Sequence, residues 1–140
     1  MNTNKLHGFR LPAEWEPQRA IMLIWPHEDT DWRPHLKEIT EVYLQMADAI
    51  TRHEELLITA RDTDLVRRLL TEHLTKEQMN QVTLFACDNN DTWARDVAPI
   101  TLIPNKESNG KGQTNTLLDF CFNGWGEKFA ADKDNRINQQ

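Results

Sequence analysis

Val82-Thr83-Leu84-Phe85-Ala86-Cys87 leads into the polar stretch Asn90-Asp91-Thr92-Trp93-Ala94-Arg95-Asp96, and the apolar run Val97–Ile103 leads out of it. Both apolar runs have the length and composition of strands. Polar residues at the end of a strand are where α/β proteins commonly carry their chemistry. A carboxylate beside an indole suits a planar cation, because the carboxylate accepts two parallel N–H bonds and the ring covers the cation. The stretch therefore predicts an α/β fold in which Asp91 or Asp96, beside Trp93, is a candidate receiver for a planar cation.

The rest of the chain alternates between strand-like and helix-like patterns. The predicted elements are strands at Ala20–Trp25, Leu56–Ala60, Gln81–Cys87, Val97–Ile103 and Thr116–Phe122, with helices from Pro34 to Arg52 and from Asp62 to Leu74. The first helix is predicted to bury one apolar stripe, Leu36, Ile39, Tyr43, Met46 and Ile50. The order β-α-β-α-β-β-β is typical of an α/β sheet with helical crossovers and a hairpin, so a Rossmann or flavodoxin-like sheet is the default from the residues alone.

Two segments have too few apolar residues to pack by themselves. Pro104–Gln113 is polar and contains glycine, which predicts an exposed loop. After Gly126 the chain turns polar, and we expect a loose tail or a partial helix at about 127–140. The rest of residues 1–140 is expected to form one domain, because a chain of this length can bury a core.

Composition excludes several classes of protein. The hydrophobic content of 39% and the charged content of 27% are ordinary for a globular protein. A net charge of −6 argues against a nucleic-acid partner, which needs a basic surface. No apolar run approaches the length of a membrane span, and Met1–His7 lacks the apolar core of a secretory signal. We therefore expect a cytoplasmic protein with neither a nucleic-acid nor a membrane partner.

No metal or organic cofactor is predicted. Cys87 and Cys121 have no metal-ligand spacing and are interpreted as small buried hydrophobic residues in strands. The stretch Asp88–Thr92 has the composition of a calcium loop, but Trp93 occupies the position where such a loop needs glycine. His27 and His35 match no common zinc pattern.

Three ordered motifs carry a resemblance to a known family. They are Asn90–Asp96 with Pro99, Leu11–Pro17 with Ile24-Trp25-Pro26, and Leu118–Gly126. Together they resemble the agmatine deiminase and bacterial-type peptidylarginine deiminase family over about Gly8 to Ile137. The resemblance implies a pentein-type α/β propeller of about five ββαβ-type modules, of which this chain would hold about two as the N-terminal portion.

The resemblance also implies an activity. A Cys thiolate attacks the guanidinium carbon, ammonia leaves, and water cleaves the covalent intermediate to a ureido product, with a His in proton transfer. With agmatine the product is N-carbamoylputrescine, a precursor of putrescine in polyamine synthesis. The family's Cys, His and second acidic residue lie in later segments, so the 140-residue chain by itself is predicted to be inactive.

The resemblance assigns roles to three residues. Asp96 corresponds to the catalytic-site carboxylate that binds the guanidinium, Trp93 to a wall of that site, and Trp125 to a second wall in a loop beside it. The alternatives are a turn or capping role for Asp96, a core position for Trp93 and simple loop packing for Trp125.

The substrate and the assembly stay open at this point. Agmatine is favoured, because the region from Asp119 to Gly126 offers no cation for a substrate carboxylate before Lys128. Free or peptidyl arginine is the competing substrate. The other class of function is a non-catalytic remnant or an assembly module, whose exposed sheet edges would favour a homo-oligomer.

Overall fold

The computed structural model describes residues 8–105 and 114–139. These residues form two compact units, which we call the hairpin unit (Met1–Pro17 with Pro99–Phe120) and the strand–helix unit (Gln18–Ala98 with Cys121–Gln140). Met1–His7 and most of the predicted loop, at 106–113, fall outside the described residues. In the described part of the chain, no helix is long and apolar enough to cross a membrane.

The strand–helix unit is built on a parallel sheet of three strands in the order β2-β3-β4. The strands are β2 (Ala20–Ile24), β3 (Glu55–Ala60) and β4 (Val82–Ala86). Ile21 is in register with Leu56, which is in turn in register with Val82. The three near-continuous apolar runs are typical of a parallel sheet, whose strands are covered on both faces.

Helices connect these strands. α1 (Leu36–Thr51) follows a short 3-10 turn at Arg33–His35, and α2 (Thr63–His73) and α3 (Lys76–Met79) precede β4. Asp62 begins α2 by accepting the backbone N–H of Leu65 at 2.8 Å, as an N-cap residue does. Thr75 and Gln78 form a capping box at α3. The crossovers predicted from the sequence are therefore present.

The helices cover one face of the sheet and form the main core. Its fully buried members include Leu56 and Ile58 of β3 and Leu70 of α2. The other face of the sheet packs a smaller cluster formed by Ile24, Val97 and Ile137. Ile137 comes from the C-terminal segment, which therefore contributes to this second core.

The hairpin unit is a separate antiparallel sheet. β5 (Ile100–Pro104) lies between β1 (Phe9–Arg10) and β6 (Thr116–Leu118). Before β5, the chain departs from the prediction of a strand at Val97–Ile103. Val97 ends the helical turn α4 (Ala94–Val97), closed by the bond from Ala98 N to Ala94 O at 2.8 Å. Pro99 has no backbone N–H that could donate a hydrogen bond to a neighbouring strand, so the strand begins only at Ile100.

The C-terminal segment contains regular structure. A 3-10 helix spans Asp134–Gln139, and Asp134 and Ile137 are buried in it. Composition had predicted a loose tail or partial helix here, because the segment is polar. Its polar side chains make hydrogen bonds to other parts of the strand–helix unit, as described below.

Candidate functional site

The carboxylate of Asp96 lies on the helical turn α4 and is exposed. Its backbone N–H donates to Trp93 O at 3.0 Å, which places the two residues on one turn. Among the described residues, no hydrogen bond or ion pair is made by the Asp96 carboxylate. Both of its oxygens are therefore available to a ligand, and no capping bond uses them.

Asp91 orients the indole of Trp93. The Trp93 Nε1–H donates to Asp91 Oδ2 at 2.9 Å, and Asp91 Oδ1 accepts the N–H of Thr92 at 2.8 Å. With its N–H satisfied inside the protein, Trp93 remains 53% exposed. A ring fixed at its polar edge and open on its face is suited to cover a planar cation.

Trp125 lies in a turn of unusual backbone conformation. Gly124, Trp125, Gly126 and Glu127 have φ values of 60°, 54°, 81° and 64°. Left-handed backbone is easy for glycine but costs other residues about 1–2 kcal/mol each. Asn123 stabilises the turn, because its Oδ1 accepts the N–H of Gly126 at 3.0 Å and its C=O accepts that of Glu127 at 2.7 Å. Strained backbone of this kind is concentrated at functional sites.

The turn places Trp125 in an aromatic cluster. Its ring centroid lies 6.5 Å from that of Trp93, 4.9 Å from that of Phe122 and 5.6 Å from that of Phe129, all in edge-to-face geometry. The structure thus brings together Trp93 and Trp125, two of the three residues singled out in the sequence, and Asp96 is on the same turn as Trp93.

Hydrogen bonds from the C-terminal segment, which contains the 3-10 helix, stabilise this arrangement. Asp134 Oδ1 accepts the N–H of Asn90 at 2.7 Å, and Asn90 Oδ1 accepts the N–H of Lys133 at 2.8 Å. Asn138 Nδ2 donates to Val97 O at 2.7 Å at the end of α4. Burial raises the pKa of Asp134. The segment that carries Trp93 and Asp96 is therefore anchored on both sides.

A charged network lies at the carboxyl ends of the three parallel strands. Arg61 donates to Asp88 Oδ1 and to Asp29 Oδ2, both at 2.7 Å, and Lys133 pairs with Asp88 at 2.9 Å. Burial alone would raise the pKa of Asp88, but the hydrogen bonds from Lys133 and Arg61 lower it to about 2. His27 is buried, and its Nε2 lies 3.0 Å from Asn89 O, so it joins the ends of β2 and β4.

The cysteines differ from the prediction that both are buried. Cys87 is partly buried, and burial, then the charge of Asp88, raises the pKa of its thiol, which disfavours the reactive thiolate. Cys121 is exposed. Within the described ranges, no group of three His, Cys, Asp or Glu side chains is arranged to bind a metal ion.

Described residues of the strand–helix unit border cavities of two sizes. The larger, of about 530 Å³, lies where β2 and β3 end and is bordered by α1 and α2 residues together with His27 and Arg61. The smaller, of about 180 Å³, is bordered by Trp125, Asn89 and several aspartates. The sequence did not single out Asn89, Asp134, Asn135 or Asn138, because their partners lie far away along the chain.

Comparisons with known proteins identify the family. The profile of the Porphyromonas-type peptidyl-arginine deiminase family matches residues 10–140. A "Putative agmatine deiminase" of Mycoplasma capricolum is 32% identical over 97% of this chain and 35% of its own length. The chain thus spans about a third of the length of the curated relatives it matches.

Solved structures give the same result. A substrate-bound C. jejuni agmatine deiminase is 30% identical with a TM-score of 0.77, over 94% of this chain and 35% of the other. The "Putative Arginine Deiminase from Porphyromonas gingivalis" is 37% identical with a TM-score of 0.74, over the same shares. These likenesses confirm the α/β fold expected from the resemblance, a partial pentein, and correct the Rossmann-like default.

Proposed function

This chain belongs to the Porphyromonas-type peptidyl-arginine deiminase family, and from that premise we propose that it is the N-terminal part of a guanidine-modifying hydrolase. The substrate is agmatine, and the products are N-carbamoylputrescine and ammonia, one water being consumed. We place the enzyme in the cytoplasm and in the formation of putrescine.

The observation that carries this proposal is the free carboxylate of Asp96 on the same turn as the exposed Trp93. Two parallel hydrogen bonds from a guanidinium to Asp96 would fix the orientation of the carbon that the nucleophile attacks. Trp93 and Trp125 would cover the cation and its alkyl chain. Asp96 is then a catalytic residue, and the two tryptophans bind the substrate.

Names of relatives support both agmatine and arginine. The C. jejuni protein is an agmatine deiminase, whereas the P. gingivalis protein and the family are named for arginine. Arginine carries a carboxylate that agmatine lacks, and a buried carboxylate needs a cationic partner. The described lining of the cavity beside Trp125 includes four aspartates and one cationic side chain, Lys133, which favours agmatine.

The 140-residue chain alone is proposed to have no deiminase activity. The resemblance places the nucleophilic Cys, the His and the second acidic residue in later segments of the family. The thiol of Cys87 fits that role poorly, because burial raises its pKa. Release of ammonia from agmatine by the purified chain would contradict this part of the proposal.

The test is a binding titration followed by an activity assay. We expect butylguanidine to shift the Trp93 indole signal of the ¹⁵N-labelled chain, and Asp96→Asn to abolish the shift. Asp64→Asn in α2 is the matched control and should leave it unchanged. In the protein expressed from its complete reading frame, Asp96→Asn should lower kcat/KM for agmatine by a factor of about 100 or more. Equal activity of the Asp96→Asn and Asp64→Asn enzymes would overturn the proposed role of Asp96.

A further inference from the structure

The indole of Trp32 is hydrogen-bonded to the segment that carries the proposed guanidinium site. Trp32 lies in the connection between β2 and α1, and its Nε1–H donates to Thr92 Oγ1 at 2.9 Å, across 60 positions of the sequence. We propose that Trp32 is a positioning residue for this site and sets the orientation of the Trp93 indole through Thr92 and Asp91. Trp32 would act through these neighbours and would not touch the substrate itself.

Thr92 forms hydrogen bonds through its hydroxyl and through both of its backbone polar groups. Its hydroxyl accepts the bond from Trp32, its N–H donates to Asp91 Oδ1 at 2.8 Å, and its C=O accepts the N–H of Ala94 at 3.0 Å. The partners Asp91 and Ala94 lie within two residues of Thr92 in the sequence. The bond from Trp32 is the one of the three that attaches Thr92 to a distant part of the chain.

The Asp91 carboxylate extends this attachment to the Trp93 ring. Its Oδ1 accepts the Thr92 N–H, and its Oδ2 accepts the Trp93 Nε1–H at 2.9 Å. A carboxylate is planar, so a bond that fixes Oδ1 also restricts the direction from which Oδ2 can accept the indole N–H. Trp93 is 53% exposed, so packing restrains only part of its ring. The orientation of the ring therefore depends on the hydrogen bonds that lead back to Trp32.

The backbone around Trp32 gives this chain of bonds a fixed starting point. Three successive turns enclose it, because the N–H of Thr30 donates to His27 O at 3.0 Å, that of Arg33 to Thr30 O at 3.0 Å, and that of His35 to Trp32 O at 2.8 Å. His27 and Thr30 are buried. Trp32 is partly buried, and a buried indole N–H normally finds an acceptor. Here that acceptor is the residue that precedes Trp93.

Helix α1 also approaches the Thr92 side chain, through Tyr43. Tyr43 is 8% exposed and packs edge to face on Trp25, with ring centroids 5.4 Å apart. Burial raises the pKa of the Tyr43 phenol, and the neighbouring Thr92 side chain partly offsets that rise. Thr92 therefore has neighbours both in α1 and in the connection before it, and its side chain cannot turn away without losing them.

The inference rests on the proposed function for its consequence, which is guanidinium binding, and on the hydrogen bonds alone for its cause. The experiment therefore follows the Trp93 indole N–H signal of the ¹⁵N-labelled 140-residue chain, first without ligand and then with butylguanidine. Trp32→Phe removes the N–H donor and keeps an aromatic ring. Trp15→Phe, the same substitution at a side chain that is 87% exposed, is the matched control.

We expect Trp32→Phe to shift the ligand-free Trp93 signal and to weaken butylguanidine binding about three- to tenfold, the range of one net hydrogen bond. Trp15→Phe should do neither. Thr92→Val, which removes the acceptor, should reproduce both effects, whereas Thr92→Ser, which keeps the hydroxyl, should behave like the parent chain. The double variant of Trp32→Phe with Thr92→Val should bind no more weakly than either single variant, because both changes remove the same bond.

The outcomes separate this inference from the proposed function. A ligand-free Trp93 signal that is unchanged in Trp32→Phe overturns the inference, whatever butylguanidine does. Additive losses of affinity in the double variant also overturn it, because Trp32 would then act by a route other than Thr92. If Trp32→Phe shifts the ligand-free signal but butylguanidine does not bind the parent chain, the proposed function fails and the positioning of Trp93 by Trp32 stands. If Trp32→Phe does not fold, equal Trp93 signals in Thr92→Val and Thr92→Ser overturn the inference.

Discussion

The side chain of Asn135 brackets the backbone of Phe122. Asn135 Oδ1 accepts the N–H of Phe122 at 2.7 Å, and Asn135 Nδ2 donates to Phe122 O at 2.8 Å. One amide side chain thus replaces the pair of bonds that a neighbouring strand would supply. Phe122 in turn packs against Trp125, so the C-terminal 3-10 helix fixes the start of the aromatic cluster.

Asn135→Ala should therefore destabilise the strand–helix unit. The change leaves the N–H and the C=O of Phe122 without their partner, which costs about 1–3 kcal/mol for each group that stays buried. We expect a loss of about 2 kcal/mol in the free energy of unfolding by urea and a weaker near-UV circular dichroism signal from the tryptophans. Asn80→Ala, an exposed change after α3, is the matched control. Similar losses of unfolding free energy in Asn135→Ala and Asn80→Ala would show that the two hydrogen bonds between Asn135 and Phe122 do not stabilise the unit.

Gly124 and Gly126 should respond differently to alanine. A Cβ at Gly124 would lie 2.1 Å from Phe129 O, whereas a Cβ at Gly126 would meet nothing within 4 Å. Both residues have positive φ, so each substitution costs about 1 kcal/mol in backbone strain, and only Gly124→Ala adds a clash with backbone. We expect Gly126→Ala to lose about 1 kcal/mol and Gly124→Ala more than about 3 kcal/mol in urea unfolding. Equal losses would show that close approach to Phe129 is not what requires glycine at position 124.

Asp88 should make stability depend on pH in the acid range. Its folded-state pKa of about 2 lies below its ordinary value of 3.8, so the charged form is favoured by folding. That stabilisation is fully present above about pH 5 and is lost as the pH falls through 4 towards 2. The side chain is 44% exposed, so solvent screens its pairs with Arg61 and Lys133, and we expect about 1 kcal/mol.

The measurement is the difference in unfolding free energy between the parent chain and Asp88→Asn at several pH values. The difference should be largest near pH 6 and shrink towards pH 2, where the carboxylate is protonated in both states. Glu72→Gln, an exposed change in α2, serves as the control and should show no such trend. A difference that stays constant between pH 6 and pH 2 would count against the ion pairs.

The parallel sheet could be predicted because its strands are continuous apolar runs. The predicted strands at Leu56–Ala60 and Gln81–Cys87 differ from the observed ones by a residue at their ends. The strand predicted from Val97 was wrong at its start, because a helical turn and Pro99 interrupt the run. That turn carries Asp96, which the sequence had placed in a polar stretch without a helix.

The buried face of α1 was only partly predicted. Tyr43 is buried as expected, but Met46 is 37% exposed and Ala47 is fully buried. The prediction placed Met46 in the core because it is large and apolar. In the structure α1 lies close to the sheet, and the small side chain of Ala47 fits at that contact. The polar C-terminal segment could not be placed from the sequence, because its asparagines and aspartates bond to groups more than ten residues away.

Helix α2 carries one buried and one exposed leucine, so the same Leu→Ala change at each position tests the contribution of the core. Leu70 is 0% exposed and packs in the main core, whereas Leu65, on the same helix, is 43% exposed. Leu70→Ala should cost about 2–5 kcal/mol, because it removes buried methyl groups and leaves a cavity in a close-packed interior. Leu65→Ala should cost less than about 1 kcal/mol, since alanine has the higher helix propensity and little burial is lost. Urea unfolding followed by tryptophan fluorescence measures both, and a larger loss for Leu65→Ala would show that α2 packs through the opposite face.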